Sequence, residues 1–505
     1  MTSSHKKFTR RDFLKLASFV PLTLASRSFL KLGWQFVQQG SIPNILILIF
    51  DAWSASDLSL YGFPRETMPN LGKFAERATV YHNHISAGTF TTPGVASILT
   101  GLHPWSHRAF QLGNQVIDSH REHQVFSSLK GKFQTMLGYS QNGAADQLLD
   151  QFDKEIDTHI PSGAYNIYNY DSYNAPIYSI EAIRSIVAAL KSDSSLFLGP
   201  LVRAKGLYNE KVLNEEYLPY YPKGLPSAIK SLFLLESVVA RTTETLEEVE
   251  TPFFGYMHFF PPHEPYRPKA RFYGKFRDGW QPPEKGIHPL AVEKDSFENA
   301  VRTRRLYDEF LASWDFELGR LFEFLEASGL RENSYIIITS DHGEMFERGE
   351  RGHWTPLIYD PLIRVPLIIS HPGQQSREDI HVNTSSVDIL PTLTQLLGIA
   401  HPAWAEGQVL PGLGGVEESS RSIFTMDAKE NSVFEKLTKF SLSLTKGPHR
   451  LTYYQYPNYQ EFEFYDLAHD PQEMDDLYAS QPSEALLMQE ELLDKLSDVN
   501  RRYSQ

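Results

Sequence analysis

The stretch ILILIFD, residues 45–51, is an uninterrupted apolar run that ends in an aspartate. A second run of this kind, YIIIT at 335–339, ends in the polar sequence SDHGE at 340–344. Such runs are typical of parallel strands that are buried on both faces. In open α/β folds, ligands bind beyond the carboxyl ends of these strands. We therefore expect Asp51 and the Asp341-His342 pair to share one site.

Strand and helix patterns alternate along the first four fifths of the chain. Residues 253–259 and 365–370 are further strand candidates, and residues 68–78 have a helical pattern. Apolar residues at helical spacing precede the run at 335–339, namely Leu306, Phe310, Trp314, Leu318, Leu321 and Leu325. This alternation predicts an α/β domain over residues 43–400, built on a doubly wound, mostly parallel sheet flanked by helices.

Two regions depart from that pattern. Residues 163–221 are rich in Tyr, Asn, Ser and Pro and lack periodicity, so we expect an insertion there, either near the mouth of the site or as a solvated loop. After residue 401 the segments become shorter, at 440–445, 450–456 and 461–465, and a helical pattern follows at 482–496. Residues 401–505 are thus predicted to form a small antiparallel α+β subdomain.

The N-terminus resembles an export signal. Residues 9–15, TRRDFLK, have the order of a twin-arginine signal, and the apolar run at 16–25 is too short for a stable membrane anchor. The alternative is the start of a basic amphipathic helix. We expect residues 1–35 to be a signal peptide that engages the twin-arginine export machinery, and the protein to be periplasmic or extracellular.

Composition excludes several classes of function. The formal net charge of −14 argues against a nucleic-acid partner and gives no electrostatic reason to seek anionic lipid. The 505 residues include no cysteine, which excludes disulfides, thiolate metal sites and a cysteine nucleophile.

Thr91 lies in FTTPGVASILTGLHP, residues 90–104, which reads as a strand end that turns into a helix. Its hydroxyl is expected just ahead of the helix N-terminus, where backbone N–H groups favour an anionic group. Thr91 or Thr92 can alternatively be a simple N-cap before Pro93. The distant acidic residues favour chemistry, because Asp51, Thr91, Asp341 and His342 form an oxygen and nitrogen set suited to one divalent cation. Ca, Mn, Mg or Zn would lower the pKa of the Thr91 hydroxyl and make it a nucleophile.

Three histidines are candidates for supporting roles. His263, in MHFFPPHEPY at 257–266, is expected to bind an oxygen of the transferred group or to protonate the leaving group. His353, in RGHW at 351–354, is the next candidate, although a single loop histidine is as often structural. His258 lies inside a strand pattern, where a core or supporting role is favoured.

These motifs, taken in order, resemble the sulfatase branch of the alkaline phosphatase superfamily over nearly the whole chain after residue 43. Each motif is modest alone, but the ordered set is specific. The matching stretches are PNILILIFD at 43–51, LYG at 60–62, MPNL at 68–71, Thr91-x-Pro93 with ASILTG at 96–101, Pro262-His263-x-Pro265-Tyr266, SDHGE at 340–344, YD at 359–360 with RVP at 364–366, VDILPT at 387–392, and FYDL at 464–467 with Asp470-Pro471-x-Glu473.

Departures from the family pattern bear on the substrate. Thr91 replaces the cysteine that becomes formylglycine, Val95 replaces an arginine, and Ala52 replaces a second acidic residue. The family's Lys-x-His aligns with Tyr139-Ser140-Gln141, and a lysine expected after His353 aligns with Thr355. The resemblance then implies an ester with about one negative charge, which needs fewer cationic contacts than a dianion. Asn114, Tyr139 and Gln141 are expected to supply neutral hydrogen bonds to it.

The sequence thus predicts a metal-dependent hydrolase of phosphodiester, phosphonate or sulfate esters that forms a covalent Thr91 intermediate. Its substrate would be a small-molecule, glycan-derived or lipid-derived ester. Two alternatives stay open. One is a transferase that passes a phospho-headgroup to a glycan or lipid, a class that usually carries membrane spans. The other is an inactive module that keeps the fold to bind sulfated or phosphorylated glycans.

Overall fold

An eight-stranded mixed sheet organises the computed structural model, which describes residues 42–169, 211–228 and 231–503. The expected signal peptide at 1–35 and most of the expected insertion at 163–221 lie outside these ranges. The strands are β1 Asn44–Phe50, β2 Thr79–Tyr81, β3 His84–Ile85, β4 Thr135–Ser140, β5 Thr158–Ile160, β6 Tyr168–Asn169, β7 Ser227–Ala228, β8 Ser231–Leu232, β9 Phe253–Phe259, β10 Ser334–Thr339, β11 Leu367–Ser370, β12 Glu378–Ile380, β13 Thr384–Ser385, β14 Ser422–Asp427, β15 Phe440–Lys446, β16 His449–Tyr456 and β17 Tyr459–Asp466.

Helices connect these strands and cover the sheet. They are α1 Pro69–Ala75, α2 Thr91–Thr100, α3 Pro104–His107, α4 Val125–Leu129, α5 Gly143–Phe152, α6 Leu235–Glu248, α7 Phe297–Ala327, α8 Asp360–Ile363, α9 Ile389–Leu396 and α10 Ser483–Arg501. None of these described helices combines the length and the apolar character that crossing a membrane requires.

Strand β1 shows why the sheet is covered on both faces. Side chains alternate along a strand, so Leu46, Leu48 and Phe50 enter one apolar core with residues of α1, α6 and α7. The intervening Ile45, Ile47 and Ile49 enter a second core with residues of α2, α5 and α9. The sheet order is β12-β2-β11-β10-β1-β9-β4-β5, with β10, β1, β9, β4 and β5 parallel and β11 antiparallel to β10. The prediction of a doubly wound, mostly parallel sheet is confirmed.

The register of four neighbouring strands brings their carboxyl ends to one edge. Ile49 of β1 lies opposite Thr339 of β10 on one side and opposite His258 of β9 on the other. His258 in turn lies opposite Ser140 of β4. The residues that follow these strands therefore meet, as the two apolar runs predicted.

The C-terminal residues form a separate antiparallel sheet, β14-β15-β16-β17, against which α10 packs. This agrees with the predicted antiparallel C-terminal subdomain. Strand β14 is also hydrogen bonded to the segment before α2: the Met426 N–H donates to the Ala87 carbonyl at 3.0 Å, and the Thr425 hydroxyl donates to the Ser86 carbonyl at 2.6 Å. The small sheet therefore holds the entry to α2.

Helix α2 is buried along its whole length and lies against the backbone beyond β10. A Cβ atom added to Gly94 would lie 2.3 Å from the Asp341 carbonyl oxygen. Glycine at position 94 thus lets the first turn of α2 approach the metal-ligand candidates of β10.

We expect Gly94→Ala to lower the free energy of unfolding by about 1–3 kcal/mol, because rigid backbone opposes the added methyl group. Gly72→Ala in α1 is the matched control: nothing lies within 4 Å of its added Cβ, so it should be neutral or stabilising by up to about 1 kcal/mol. Thermal unfolding of the purified variants measures both. Equal Tm values for Gly94→Ala and wild type would contradict the close approach.

Candidate active site

Thr91 is the first residue of α2, and Phe90 is the N-cap. The helix therefore begins at Thr91 rather than just after it, and no strand directly precedes it. The Thr91 Oγ1 atom lies 3.3 Å from Nδ2 of Asn142 and 3.5 Å from Nε2 of His342. The hydroxyl is thus directed at polar side chains, and the reading of Thr91 as the N-cap is wrong.

Asp51, His258 and Asp341 form a buried cluster at the carboxyl edge of the sheet. One ligand atom from each lies within 4.8 Å of the others, and all three side chains are fully buried. His258, which the sequence favoured as a core or supporting residue, contributes directly to this cluster. Its Nε2 lies 3.7 Å from Asp51 Oδ2 and 3.9 Å from Asp341 Oδ2.

The cluster has the donor set that a divalent cation requires. Asp51 Oδ1, Asp341 Oδ2 and His258 Nε2 are buried atoms that lack a hydrogen-bond partner among the described residues. Buried, unpaired carboxylate oxygens are costly unless a cation or a donor compensates them. Oxygen atoms with one imidazole nitrogen suit several divalent metals. These residues therefore fit a metal ion.

His342 completes the same group from the Thr91 side. Its Nδ1 donates to the Gly343 carbonyl at 2.9 Å, which leaves Nε2 facing Asp51 Oδ1 at 3.4 Å and Asp341 Oδ2 at 3.5 Å. Burial acts to lower the pKa of His342, but the two aspartates raise it to about 9. The pKa of Asp51 is held below its ordinary value against the effect of burial, because His263, His342 and His258 favour its charged form. Positive charge is thus strongly favoured between these carboxylates.

Asn142 is a site residue that the sequence interpretation missed. Its Nδ2 donates to Asp51 Oδ2 at 2.6 Å and reaches Thr91 Oγ1, while its Oδ1 caps α5 by accepting from Ala144 N. Ser140 lies on the same side, with Oγ 3.4 Å from Nδ1 of His258. The available signal was an asparagine, a favoured N-cap residue, directly before the amphipathic stretch 143–152.

Tyr139 and Gln141, the predicted substrate-binding residues, do not occupy these positions. Tyr139 is fully buried in the core, its ring centroid 4.1 Å from that of Tyr165. Gln141 bridges two segments, since its Nε2 donates to Asn166 Oδ1 at 2.8 Å and its Oε1 accepts from Phe260 N at 3.1 Å. Successive side chains alternate across a strand, so an alignment shifted by one residue moves every contact to the other face. The pair that faces the site is Ser140 and Asn142.

Asn114, also a predicted substrate ligand, lies in the loop that covers the start of α2. The loop is attached there because Gly113 N donates to Thr92 Oγ1 at 3.0 Å. Among the described residues, the hydrogen bond of Asn114 is a backbone one, to Gln111 O. Gly113 thus holds the loop of Asn114 against the start of α2, but the described structure shows no hydrogen bond from the Asn114 side chain to Thr91.

His353 and His263 extend the histidine cluster away from the sheet. The His353 ring centroid lies 4.4 Å from that of His342 and 4.7 Å from that of His263. His353 Nδ1 contacts Glu344 Oε1 at 2.9 Å, and the Tyr266 hydroxyl donates to Glu344 Oε2 at 2.7 Å. Burial lowers the pKa of His353, Glu344 opposes that effect, and His342 adds to it. A carboxylate thus orients His353, which distinguishes it from an isolated loop histidine.

His263 lies at the outer end of this row and is partly exposed. Its Nδ1 contacts the Glu264 carbonyl oxygen at 2.8 Å, and its ring packs against Phe260. The contact to a carbonyl requires Nδ1 to carry the proton, so Nε2 is the nitrogen available to a ligand.

The positions that depart from the family pattern carry no charge in the structure. Val95 belongs to α2 and is buried in the core on that side of the sheet. Ala52 follows Asp51 with a φ of 58°, a left-handed conformation that is rare for alanine. Thr355 is buried, and its Oγ1 accepts from Leu357 N at 3.2 Å. Positions 95 and 355 therefore lack the cations, and position 52 lacks the carboxylate, that the family pattern would place there.

Known proteins agree with this fold and set of motifs. A family model described as Sulfatase matches residues 43–399, and one described as N-sulphoglucosamine sulphohydrolase, C-terminal, matches residues 349–502. The ulvan-active sulfatase of Formosa agariphila is 24% identical over 382 residues, which are 74% of this chain and 65% of that protein. The chain thus spans just under two thirds of that relative's length.

Two other comparisons cover nearly the whole chain. The multifunctional alkaline phosphatase superfamily protein PehA of Trinickia caryophylli is 24% identical over 502 residues, 88% of this chain and 93% of PehA. The phosphonate monoester hydrolase of Agrobacterium radiobacter has the same fold, with a TM-score of 0.63 and 18% identity over 91% of this chain and 96% of that chain. Since the first family model matches well over half of the chain, this protein belongs to the sulfatase family of ester hydrolases.

Proposed function

We propose that this chain is a metal-dependent hydrolase of phosphodiester, phosphonate or sulfate esters, in which Thr91 is the nucleophile. The observation that carries the proposal is the position of the Thr91 hydroxyl. It is buried at the first turn of α2, within reach of His342 and Asn142. Oδ1 of Asp51 and Oδ2 of Asp341, in the same cluster, accept no hydrogen bond from the described residues. A threonine hydroxyl that only packed in the core or capped the helix would not need these polar neighbours.

Asp51, His258, Asp341 and His342 would hold the metal, with Thr91 Oγ1 facing the same point. A divalent cation there lowers the pKa of a bound hydroxyl and offsets negative charge on the transferred group. Asn142 donates to both Asp51 and Thr91, so it fixes the carboxylate and the threonine hydroxyl relative to each other. The chain thereby orients its nucleophile before substrate binds.

In the first step, the Thr91 hydroxyl releases its proton to water and Oγ1 forms a bond to phosphorus or sulfur. The bond between that atom and the ester oxygen breaks, and the leaving group departs with a proton. His353 in its imidazolium form is positioned to donate that proton from Nε2, because the Glu344 carboxylate accepts from Nδ1 and stabilises the positive charge. His263 lies beside it and is suited to bind an oxygen of the transferred group. Water then attacks the same phosphorus or sulfur and releases Thr91.

The substrate class follows from charge. The missing cations at positions 95 and 355 favour an ester with about one negative charge over a dianion. The relatives support this range of esters, since they are named a sulfatase and a phosphonate monoester hydrolase, and one is named multifunctional. The export predicted from residues 1–35 remains part of the proposal.

Thr91→Ala should lower kcat/KM for the preferred ester by at least about 10³-fold, and Thr91→Ser should keep part of the activity. The measurement is a panel of aryl sulfate, phosphate monoester, phosphodiester and phosphonate monoester, with mass spectrometry of the quenched enzyme to detect a modified Thr91. Full turnover by Thr91→Ala would overturn the nucleophile. A wild-type protein inactive on every ester, yet able to bind metal, would favour the inactive binding module.

Chelation should abolish turnover and lower Tm, because an ion that binds the folded state alone stabilises it. Asp341→Asn should remove most of the Tm increase that added metal gives to the chelated protein. Asp150→Asn is the matched control, since Asp146, Asp150 and His159 form a second acidic cluster at the surface. A metal-dependent Tm shift that survives in Asp341→Asn and disappears in Asp150→Asn would place the ion elsewhere.

Asn142→Ser should lower kcat by about ten-fold or more while the helix cap is kept, since serine is also a favoured N-cap. Tyr139→Phe should leave kcat and KM unchanged, because its buried hydroxyl has no partner among the described residues. Steady-state kinetics on the preferred ester compares the two variants. The reverse order of effects would restore Tyr139 as the substrate-binding residue.

A further inference from the structure

Lys429 connects the C-terminal subdomain to the two segments that carry Thr91 and His353. It lies two residues after β14, and its Nζ donates to the Thr355 carbonyl at 2.8 Å. It also forms an ion pair with Asp427, whose Oδ2 accepts from the Thr89 hydroxyl at 3.0 Å. A positive charge is thereby fixed beside the residues that precede Thr91 and follow His353.

The ammonium group of Lys429 retains capacity for a ligand. It has three N–H donors, and within the described ranges Asp427 and the Thr355 carbonyl use two of them. Its Nζ lies 5.5 Å from the ring centroid of Trp354 and 5.9 Å from that of Phe90. The Trp354 side chain is 49% exposed, and its ring meets Phe90 edge-on at 5.2 Å.

Position 355 explains why a distant lysine matters here. The Thr355 side chain is uncharged and buried, yet its carbonyl oxygen holds the ammonium of Lys429. The side chain at position 355 thus carries no charge, but the ammonium of Lys429, from a distant part of the chain, places a positive charge beside the backbone of Thr355. Asp427 partly neutralises the Lys429 ammonium. The remaining positive charge attracts a monoanionic ester but does not balance the charge of a dianionic one.

We propose that Lys429 and Trp354, supported by Phe90, form a substrate-binding lip at the site. The Lys429 ammonium binds a negatively charged oxygen of the ester, and the exposed face of Trp354 packs against a sugar or aryl ring of the same substrate. The lip rests on the proposed function and narrows its substrate to monoanionic esters that carry a ring. Lys429 is here a binding residue, distinct from the groups that react.

The experiment compares Lys429→Met, Lys429→Arg and the control Lys439→Met. Lys439 belongs to the same subdomain and pairs with Glu430 at the exposed surface, where ion pairs contribute little. On an aryl phosphonate monoester, Lys429→Met should raise KM about ten-fold or more with kcat nearly unchanged, and Lys429→Arg should stay within about three-fold of wild type. Lys439→Met should match wild type.

A binding measurement without turnover separates this proposal from the previous one. Titration calorimetry of methyl methylphosphonate, a monoester with one negative charge, into the metal-loaded Thr91→Ala protein should give a dissociation constant that Lys429→Met weakens by about ten-fold. Trp354→Ala should raise KM for an aryl ester more than for the corresponding methyl ester.

Two results would overturn the lip. In one, Lys429→Met lowers Tm and kcat but leaves KM and the affinity for methyl methylphosphonate unchanged, so that Lys429 has only a structural role. In the other, Lys429→Met and Lys439→Met have equal effects. If Thr91→Ala retains full turnover while the Lys429 effects on affinity hold, the nucleophile assignment fails and the lip stands.

Discussion

Two buried carboxylates, those of Asp51 and Asp341, lie together at the carboxyl edge of the sheet, and the rest of the site is arranged around their charge. Parallel pairing of β10, β1 and β9 leaves no freedom to separate them, because the register fixes where each strand ends. Like charges in a buried place require compensation. Part of this compensation comes from the imidazoles of His258 and His342, the amide of Asn142 and the first turn of α2. A bound cation is suited to supply the rest.

The polar environment of Thr91 depends on the two buried carboxylates of Asp51 and Asp341. Gly94 allows α2 to approach the backbone of Asp341, so that the first hydroxyl of the helix is brought within reach of His342. Asn142 then links that hydroxyl to Asp51. Thr91, in the position of the family's cysteine, therefore has partners suited to activating an oxygen. The uncharged residues at positions 95 and 355 are consistent with a site that uses a threonine hydroxyl.

Much of this arrangement could be predicted from local pattern. The apolar runs before Asp51 and Asp341 determine strand type, strand end and the shared edge, which explains why the sheet and the central acidic residues could be predicted. Which side chains of strand β4 face the site was harder to predict. Its sequence TMLGYS is buried on both faces, so no alternation between polar and apolar residues shows which side chains face the site. The sequence predicts Tyr139 and Gln141 at the site, whereas Ser140 and Asn142 contact His258 and Asp51 in the structure. Contacts between distant residues, such as that of Lys429 with Thr355, leave no local signal in the sequence.

The attachment of β14 to the segment before α2 has a consequence for synthesis. The Ala87 and Ser86 carbonyls find their partners in Met426 and Thr425, more than 300 residues later in the chain. A nascent chain can form β1, α2 and most of the large sheet well before those residues emerge from the ribosome. The entry to α2 acquires its last hydrogen bonds only when the small sheet has been made. The site is therefore completed only after Thr425 and Met426 have been synthesised, and the C-terminal sheet contributes to the geometry of the site rather than standing apart from it.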